Sequence, residues 1–560
     1  MNYFLTYTVY VLILSMLMGV STWKLFKKMG YQPLLAFVPF YNYYIIQKET
    51  RHPKWWALMA YLPIVGPIMM TVFHLFLMEK FGKKLFVDKL LTVILPFIYL
   101  AYVNYGKDPE VESEDDELYL TDAEKQEKKK ETFIGSITFA VVFATIIHTF
   151  ITQPFGIPTG SMERTLLVGD FLFVNKLNYG YRMPMRPLAI PFLQSTIMDT
   201  GEKGNPKDDP KSYVDAVKLP YFRFPGWEKP ERNDIIVFNY PGDSVHTAID
   251  RKDPYVKRCV AIAGDIVEFR GGRLFVNGQP EHRMPDAEVQ YAYDATTDQP
   301  LDMDAIYKAY GFLPVNVENK VDGGYVYHFQ GLTSDLVKEI KAVPGVTAVV
   351  ENVKPKGEKE ISYYPDMNRS MEEQRLVFSS KINISNTIFP YNKNWNQDWY
   401  GPLKIPKKGD VITLNADNLP TYQKLISEYE NNTFEVKDGK YYINGQPTDK
   451  YTVKYNYYMM IGDNRDASLD SRFFGFVPET NIIGKPMFTW LSIQGAFKDA
   501  SSDFQAPWKI RWERMFKATN TGEKDKTSYW WIAAMILILF FGWEYFMKLF
   551  GFRKNKEEEN

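Results

Sequence analysis

Five long apolar runs interrupt an otherwise polar chain, and this segregation constrains the fold more than any average does. Tyr3–Thr22 is uncharged and close to the ~20 residues that cross a ~30 Å hydrocarbon layer. Trp55–Met78 is a second run, Leu90–Tyr105 a shorter third and Thr132–Thr152 a fourth. Tyr529–Met547 is a fifth, broken only by Glu544. The first run has no basic leader and no small-x-small exit, so it reads as a retained span rather than a cleaved targeting peptide. Pro33–Gln47 is apolar but short and proline-broken, and reads as interfacial or re-entrant.

The flanking charges orient these spans. Lys24, Lys27 and Lys28 follow the first, Lys125 and Lys128–Lys130 precede the fourth, and Arg553, Lys554 and Lys556 follow the fifth. The positive-inside rule makes all three clusters cytoplasmic, which places residues 153–528 outside. Lys80, Lys83 and Lys84 then fall on the wrong side, so the N-terminal topology is the less constrained part. Lys and Arg number 66 against 67 Asp and Glu, which leaves no global basic excess for nucleic acid. A lone cysteine, Cys259, excludes an intramolecular disulfide and any multi-cysteine metal site.

The outer segment reads as β. Asp234–Phe238, Asp265–Phe269, Asp410–Leu414 and Ile482–Trp490 are short β-branched runs bounded by turn residues. LFVNGQP at 274–280 and YYINGQP at 441–447 are near copies, and Asn-Gly between such runs predicts two similar type I′ hairpins. In the polar and aromatic stretch 281–405, Thr333–Lys341 predicts a helix capped by Thr333 or Ser334, with Leu336, Val337 and Ile340 on one face. The acidic stretch within Lys107–Glu131 reads either as a partner-docking tail or as a solvated linker.

Three clusters carry chemistry. PTGSMERTLLVGD at 158–170 follows the fourth span, and a serine there can meet something leaving the bilayer. In YVKRCVAIAGD at 255–265, Lys257 interrupts a largely apolar strand. It is either a snorkelling surface residue or an amine desolvated so that it can act as a base, which requires its pKa to fall by about 3 units. In 460–485, Asp463, Arg465, Asp466, Asp470 and Arg472 crowd around Ser468. That pattern is either an ion-paired turn or a floor that aims Ser468 at an amine.

Together, PTGSM, NDIIVF, YVKRCVAIAGD and GDNRDASLDSRFFGFVPE resemble, in sequence order, type I signal peptidase, a membrane-bound serine protease family. The resemblance covers the fourth span and about residues 145–280 and 405–495. It implies a mainly β fold, an antiparallel catalytic β domain of signal-peptidase type anchored by transmembrane helices at both ends. It also implies Ser161 as nucleophile and Lys257 as general base, with an oxyanion hole formed by Thr159 and the Ser161 amide. Ser468 would orient the lysine, and Asp470 and Arg472 would hold the site's shape. Ile157, Met162, Leu166, Tyr255 and Val256 would line pockets for small side chains.

No metal or other cofactor is implied. The implied partners are signal-peptide-bearing precursors, membrane lipid through the apolar surface near Phe155 and Ile157, and the translocation machinery. The implied location is the cytoplasmic membrane, multi-pass, with the catalytic domain outside. The resulting map is a membrane region with about three spans at 1–105, a charged linker at 106–131 and a span at 132–152. The catalytic domain follows at 153–280 and 406–495, interrupted by an insertion at 281–405. A juxtamembrane segment at 496–528, a span at 529–547 and a tail at 548–560 complete it.

Two departures stand out. Arg164 replaces the family's usual Pro after the Ser-Met pair, and Asn233 replaces the Gly of Arg-Gly-Asp. Two rival readings remain. One is a Ser/His/Asp arrangement using His246 and Asp250. The other is a catalytically inactive membrane scaffold, from which decay should have stripped Ser161, Lys257 or Ser468 first.

Overall fold

The computed structural model describes residues 2–106, 111, 140–198, 209–243, 248–311, 313–320, 323–361, 363–365, 378–382, 387–497, 507–523, 527–531, 533–535 and 538. Two compact units emerge: residues 1–153, 180–225 and 243–253 form one, and 154–179, 226–242 and 254–560 the other.

The first unit is helical. Tyr3–Lys28 is capped by Asn2, whose side chain accepts from the Phe4 amide, and it ends on Lys27 and Lys28, which suit the negative end of the helix dipole. Among the described residues it is the one helix long and apolar enough to cross a membrane. The second expected span is instead a 3₁₀ segment, Lys54–Tyr61, and a helix, Val65–Lys80, broken where Ile64 takes a positive φ of 68°. The third divides at Pro96 into Phe86–Ile94 and Pro96–Tyr105, because proline cannot donate into the preceding turn. Pro33–Gln47 becomes a 3₁₀ turn, Pro33–Phe37, and a helix, Tyr41–Glu49. Of the fourth run, Ala140–Phe150 is helical. Most of the fifth run, nearly all of the 106–131 linker and the whole 548–560 tail lie outside the described residues.

The second unit is built on a main sheet. Its principal strands are β1 (Thr152–Gly156), β2 (Asp170–Asn175), β3 (Ile235–Asn239), β4 (Pro254–Ala261), β5 (Tyr457–Ile461), β6 (Val477–Pro478) and β7 (Ile482–Gln494), and the short strands Lys509–Ile510 and Lys517–Ala518 also pair with β7. Their spatial order is β1-β2-β7-β3-β4-β5-β6. The neighbours from β2 to β6 pair antiparallel. Strand β4 therefore has partners on both edges, and β3 and β5 are buried along their whole length. A lysine in such a strand is desolvated by the fold itself.

The hairpin near-copies are longer than the sequence motif suggested. Residues 265–280 and 432–447 correspond at a constant separation of 167 positions. Ile266–Arg270, Arg273–Val276 and Gln279–Pro280 form one meander; Phe434–Lys437, Lys440–Ile443 and Gln446–Pro447 form the other in the same register. Both Asn-Gly turns have positive φ at both positions, 54° and 77° in the first and 52° and 77° in the second, as a type I′ turn requires.

Within 281–405 the structure holds a fold of its own. Tyr291–Thr297, Met303–Tyr310, Asn316–Asn319, Tyr325–Leu332, Ser334–Lys341 and Val346–Glu351 run β-α-β-β-α-β. The sheet order, first named strand counted as one, is 4-1-3-2, the ferredoxin-like arrangement. Ala295, Tyr327, Phe329, Leu336 and Ile340 form its core. Thr333 caps the second helix by accepting from the Leu336 amide.

Candidate active site

Ser161 sits in a 3₁₀ turn, Gly160–Met162, entered from an extended Thr159 with φ −131° and ψ 152°. The turn is held from outside. Asn464 donates its backbone N–H to the Ser161 carbonyl at 3.2 Å and its side-chain amide to the Gly160 carbonyl at 3.1 Å. Lys257, at the centre of β4 opposite Ile236, is 3% exposed and places Nζ 2.5 Å from the Ser161 Oγ. These two residues lie 96 positions apart, and the sheet brings their reactive atoms into hydrogen-bond contact.

The lysine is surrounded by compensated charge. Arg258 donates to Asp463 at 2.8 and 2.7 Å, and both side chains are almost fully buried. Arg472 donates to Asp470 at 2.9 and 2.8 Å, an equally buried pair. Because each carboxylate has its own guanidinium, neither is left to lock Lys257 into its charged form. Burial dominates and lowers the Lys257 pKa to about 8; Asp470 and Asp463 oppose the shift, and Arg472 supports it. Near neutral pH a useful fraction of the amine is then unprotonated, as a general base requires.

A cavity of about 360 Å³ opens on this pair. Thr159, Ser161 and Lys257 contribute its polar groups, and Phe155, Ile157, Leu172, Val237, Tyr255, Val256 and Leu469 much of its apolar wall. Of the expected pocket residues, Ile157, Tyr255 and Val256 line it. Met162 and Leu166 do not; both are fully buried and pack behind the wall with Ile157, Leu172 and Ile235. Ile157 itself is 4% exposed, so it cannot be a lipid-facing side chain, whereas Phe155 is half-buried. Ser468 is buried, and among the described residues its hydroxyl has no hydrogen-bond partner. A Cβ placed on Gly462 would run into both the Ser468 hydroxyl and the Ser161 carbonyl, so only glycine permits this close approach.

The departures have local answers. Arg164 takes a positive φ of 69° and donates to the Tyr310 carbonyl at 2.7 Å, tying the loop to the ferredoxin-like module. Asn233 takes φ 75°, a conformation that asparagine tolerates. Of the histidine rival, His246 lies outside the described residues, and Asp250 accepts from the Met185 and Arg186 amides. Sequence reasoning singled out neither Asn464 nor Arg258 for these roles; no local pattern marks a residue whose work is to hold a distant turn. Among the described residues, no group of three or more His, Cys, Asp or Glu could hold a metal ion.

A family model described as signal peptidase, peptidase S26, matches residues 130–331 and 404–491. A family of unknown function matches 34–111. The chain is 27% identical over 408 residues to signal peptidase I of Haemophilus influenzae, covering 69% of this chain and 75% of the relative. It is 25% identical over 397 residues to signal peptidase I of Helicobacter pylori strain 26695, covering 70% and 94%. Against signal peptidase I of Buchnera aphidicola subsp. Schizaphis graminum the identity is 25% over 372 residues, 66% and 78%.

Proposed function

The chain belongs to the signal peptidase family, peptidase S26, and from that premise we propose how its residues carry the reaction. Its activity is that of a type I signal peptidase, a membrane-associated serine endopeptidase acting on signal-peptide-bearing precursors. In our reading Ser161 is the nucleophile and Lys257 the general base. The observation that carries it is the 2.5 Å contact between their reactive atoms inside a buried, largely apolar cleft.

Neutral Lys257 removes the Ser161 hydroxyl proton as Oγ bonds to the scissile carbonyl carbon. Thr159 Oγ1 and the Ser161 amide hold the resulting oxyanion. The lysine ammonium then gives its proton to the leaving amine as the C–N bond breaks, which leaves an acyl-enzyme. Water attacks the ester carbonyl, Lys257 accepts its proton and returns it to Ser161, and the mature and signal segments part. Ile157, Tyr255 and Val256 line the subsites for small side chains. The buried Ser468 hydroxyl, unpartnered among the described residues, is the group we assign to orienting the lysine amine, and the Asp470–Arg472 pair keeps the floor rigid. No cofactor takes part in these steps.

The membrane arrangement is proposed on the same footing: several N-terminal spans, a span at each side of the catalytic domain, and that domain on the outer face. Trp508, Trp512, Trp530 and Trp531 are exposed, as a belt at a lipid interface would be, and Phe155 is the cleft residue nearest to such a role. The translocation machinery is a further proposed partner. The test is cleavage of a precursor in detergent or liposomes by wild type, Ser161→Ala and Lys257→Met. Loss of product in both folded variants supports the Ser/Lys assignment. Retained cleavage in Lys257→Met would move the base elsewhere, with His246 next to be replaced.

A further inference from the structure

The segment leading into the ferredoxin-like module passes directly beneath the nucleophile turn. Gln290, 1% exposed, is its deepest polar residue. Its side-chain amide donates to the Glu163 carbonyl at 2.5 Å, two residues beyond Ser161. Its backbone forms a parallel bridge with Asn464: the Gln290 N–H donates to the Asp463 carbonyl at 2.9 Å, and its carbonyl accepts from the Arg465 N–H at 3.1 Å. Asn464 is the residue that grips the Gly160 and Ser161 carbonyls. One buried glutamine thus holds the nucleophile turn on its far side directly and on its near side through Asn464.

The module also limits the space around this clamp. Gly331, near the end of the strand Tyr325–Leu332, lies so close that an added Cβ would stand 2.7 Å from the Gln290 Oε1 and 2.8 Å from the Asn464 Oδ1. Both oxygens sit on the side-chain amides whose nitrogens make the clamp, so a methyl group there pushes on the residues that set Ser161, while the nucleophile and the base stay unchanged.

We infer that Gln290 is a positioning residue for the nucleophile, an inference that rests on Ser161 being that nucleophile. The part of the chain outside the catalytic motifs is then a working support of the active site. Gln290 touches neither substrate nor the reacting atoms; it fixes where Oγ stands relative to Lys257 Nζ. A displacement of the order of 1 Å at a nucleophile costs about 100-fold in rate, so removing the clamp should act on kcat.

The experiment is steady-state cleavage of a precursor by the full chain in detergent, comparing wild type, Gln290→Ala, Gly331→Ala and Ser161→Ala, with a melting temperature for each. We expect kcat to fall about 10- to 100-fold in Gln290→Ala and Gly331→Ala, with KM within twofold and melting within a few degrees of wild type. Unchanged kcat in folded Gln290→Ala overturns the inference. If Gln290→Ala does not fold, Gly331→Ala decides, and unchanged kcat there overturns it equally. A parallel rise in KM without loss of kcat assigns Gln290 to substrate binding and also overturns it. Retained cleavage in Ser161→Ala would instead remove the nucleophile assignment on which the inference stands, a failure distinct from the others.

Discussion

Residues 230–280 and 406–447 share a plan down to single hydrogen bonds. In the first, the Asp234 amide donates to the Glu231 carbonyl and the Asp234 carboxylate accepts from the Glu231 amide; Asp410 and Lys407 repeat both bonds. Asn277 joins the Ile266 amide and the Asp265 carboxylate, and Asn444 joins the Thr433 amide and the Asn432 side chain. They differ in what lies between the two conserved parts. The first holds strand β4 with Lys257; the second holds a helix, Leu419–Lys424, continued by a π-helical turn, Leu425–Tyr429. That helix also carries a half-buried amine, Lys424, whose pKa is lowered by its partial burial. Only the first amine is in contact with a serine hydroxyl. Turn chemistry builds the scaffold twice, and catalysis needs the strand that aims an amine at Ser161.

The predictions that break or sharpen this contrast run from the largest effect to the smallest. Asp463→Ala leaves Arg258 buried without its carboxylate and should cost about 3–5 kcal/mol, read from denaturant melts. Thr159→Val keeps the shape and removes a proposed oxyanion donor, so kcat should fall about 10²–10³-fold with KM little changed.

Lys257→Met should raise stability at pH 7 by about 3 kcal/mol. The folded-state pKa of about 8 lies below the ordinary 10.5, so the unfolded chain binds more protons between those values. Wild-type stability must then rise with pH across that window, and the advantage of the methionine variant, full below pH 8, should fade through it. Thermal melts at pH 7 and 10 check the sign.

Asn277→Ala and Asn444→Ala should each cost about 1–2 kcal/mol by equal measure, since each removes two hydrogen bonds from an equivalent turn. A much larger loss in one would mean that the copies are not equivalent. Lys424→Met should leave kcat/KM within twofold of wild type, separating a desolvated amine elsewhere in the fold from the one beside Ser161.

What could be read in the sequence follows from how local each determinant is. The strands, the type I′ turns and the capped helix at Ser334–Lys341 depend on neighbouring residues, and they stand close to where the pattern placed them. Ser161, Thr159, Lys257, Ser468, Asp470 and Arg472 stand out in the sequence because they sit in dense, distinctive runs, and the fold brings the Ser161 and Lys257 side chains into contact. The breaks at Ile64 and Pro96 were hidden by hydropathy, which counts apolar residues and does not see a positive φ or a missing N–H donor. Met162 and Leu166 pack behind the cavity wall, which the motif does not reveal: it gives adjacency along the chain, whereas lining a cavity depends on which way a turn faces. Gln290 and Asn464 were invisible for the same reason: their work is done across 127 and 304 positions of sequence.

The most direct test of a burial-tuned lysine base is the pH dependence of kcat/KM for precursor cleavage by the full chain. Activity requires the neutral amine, so kcat/KM should rise with pH along an acid limb with an apparent pKa near 8 and flatten above it. A limb near 6.5, the ordinary value for an imidazole, would contradict the account and put a histidine in the place given to Lys257.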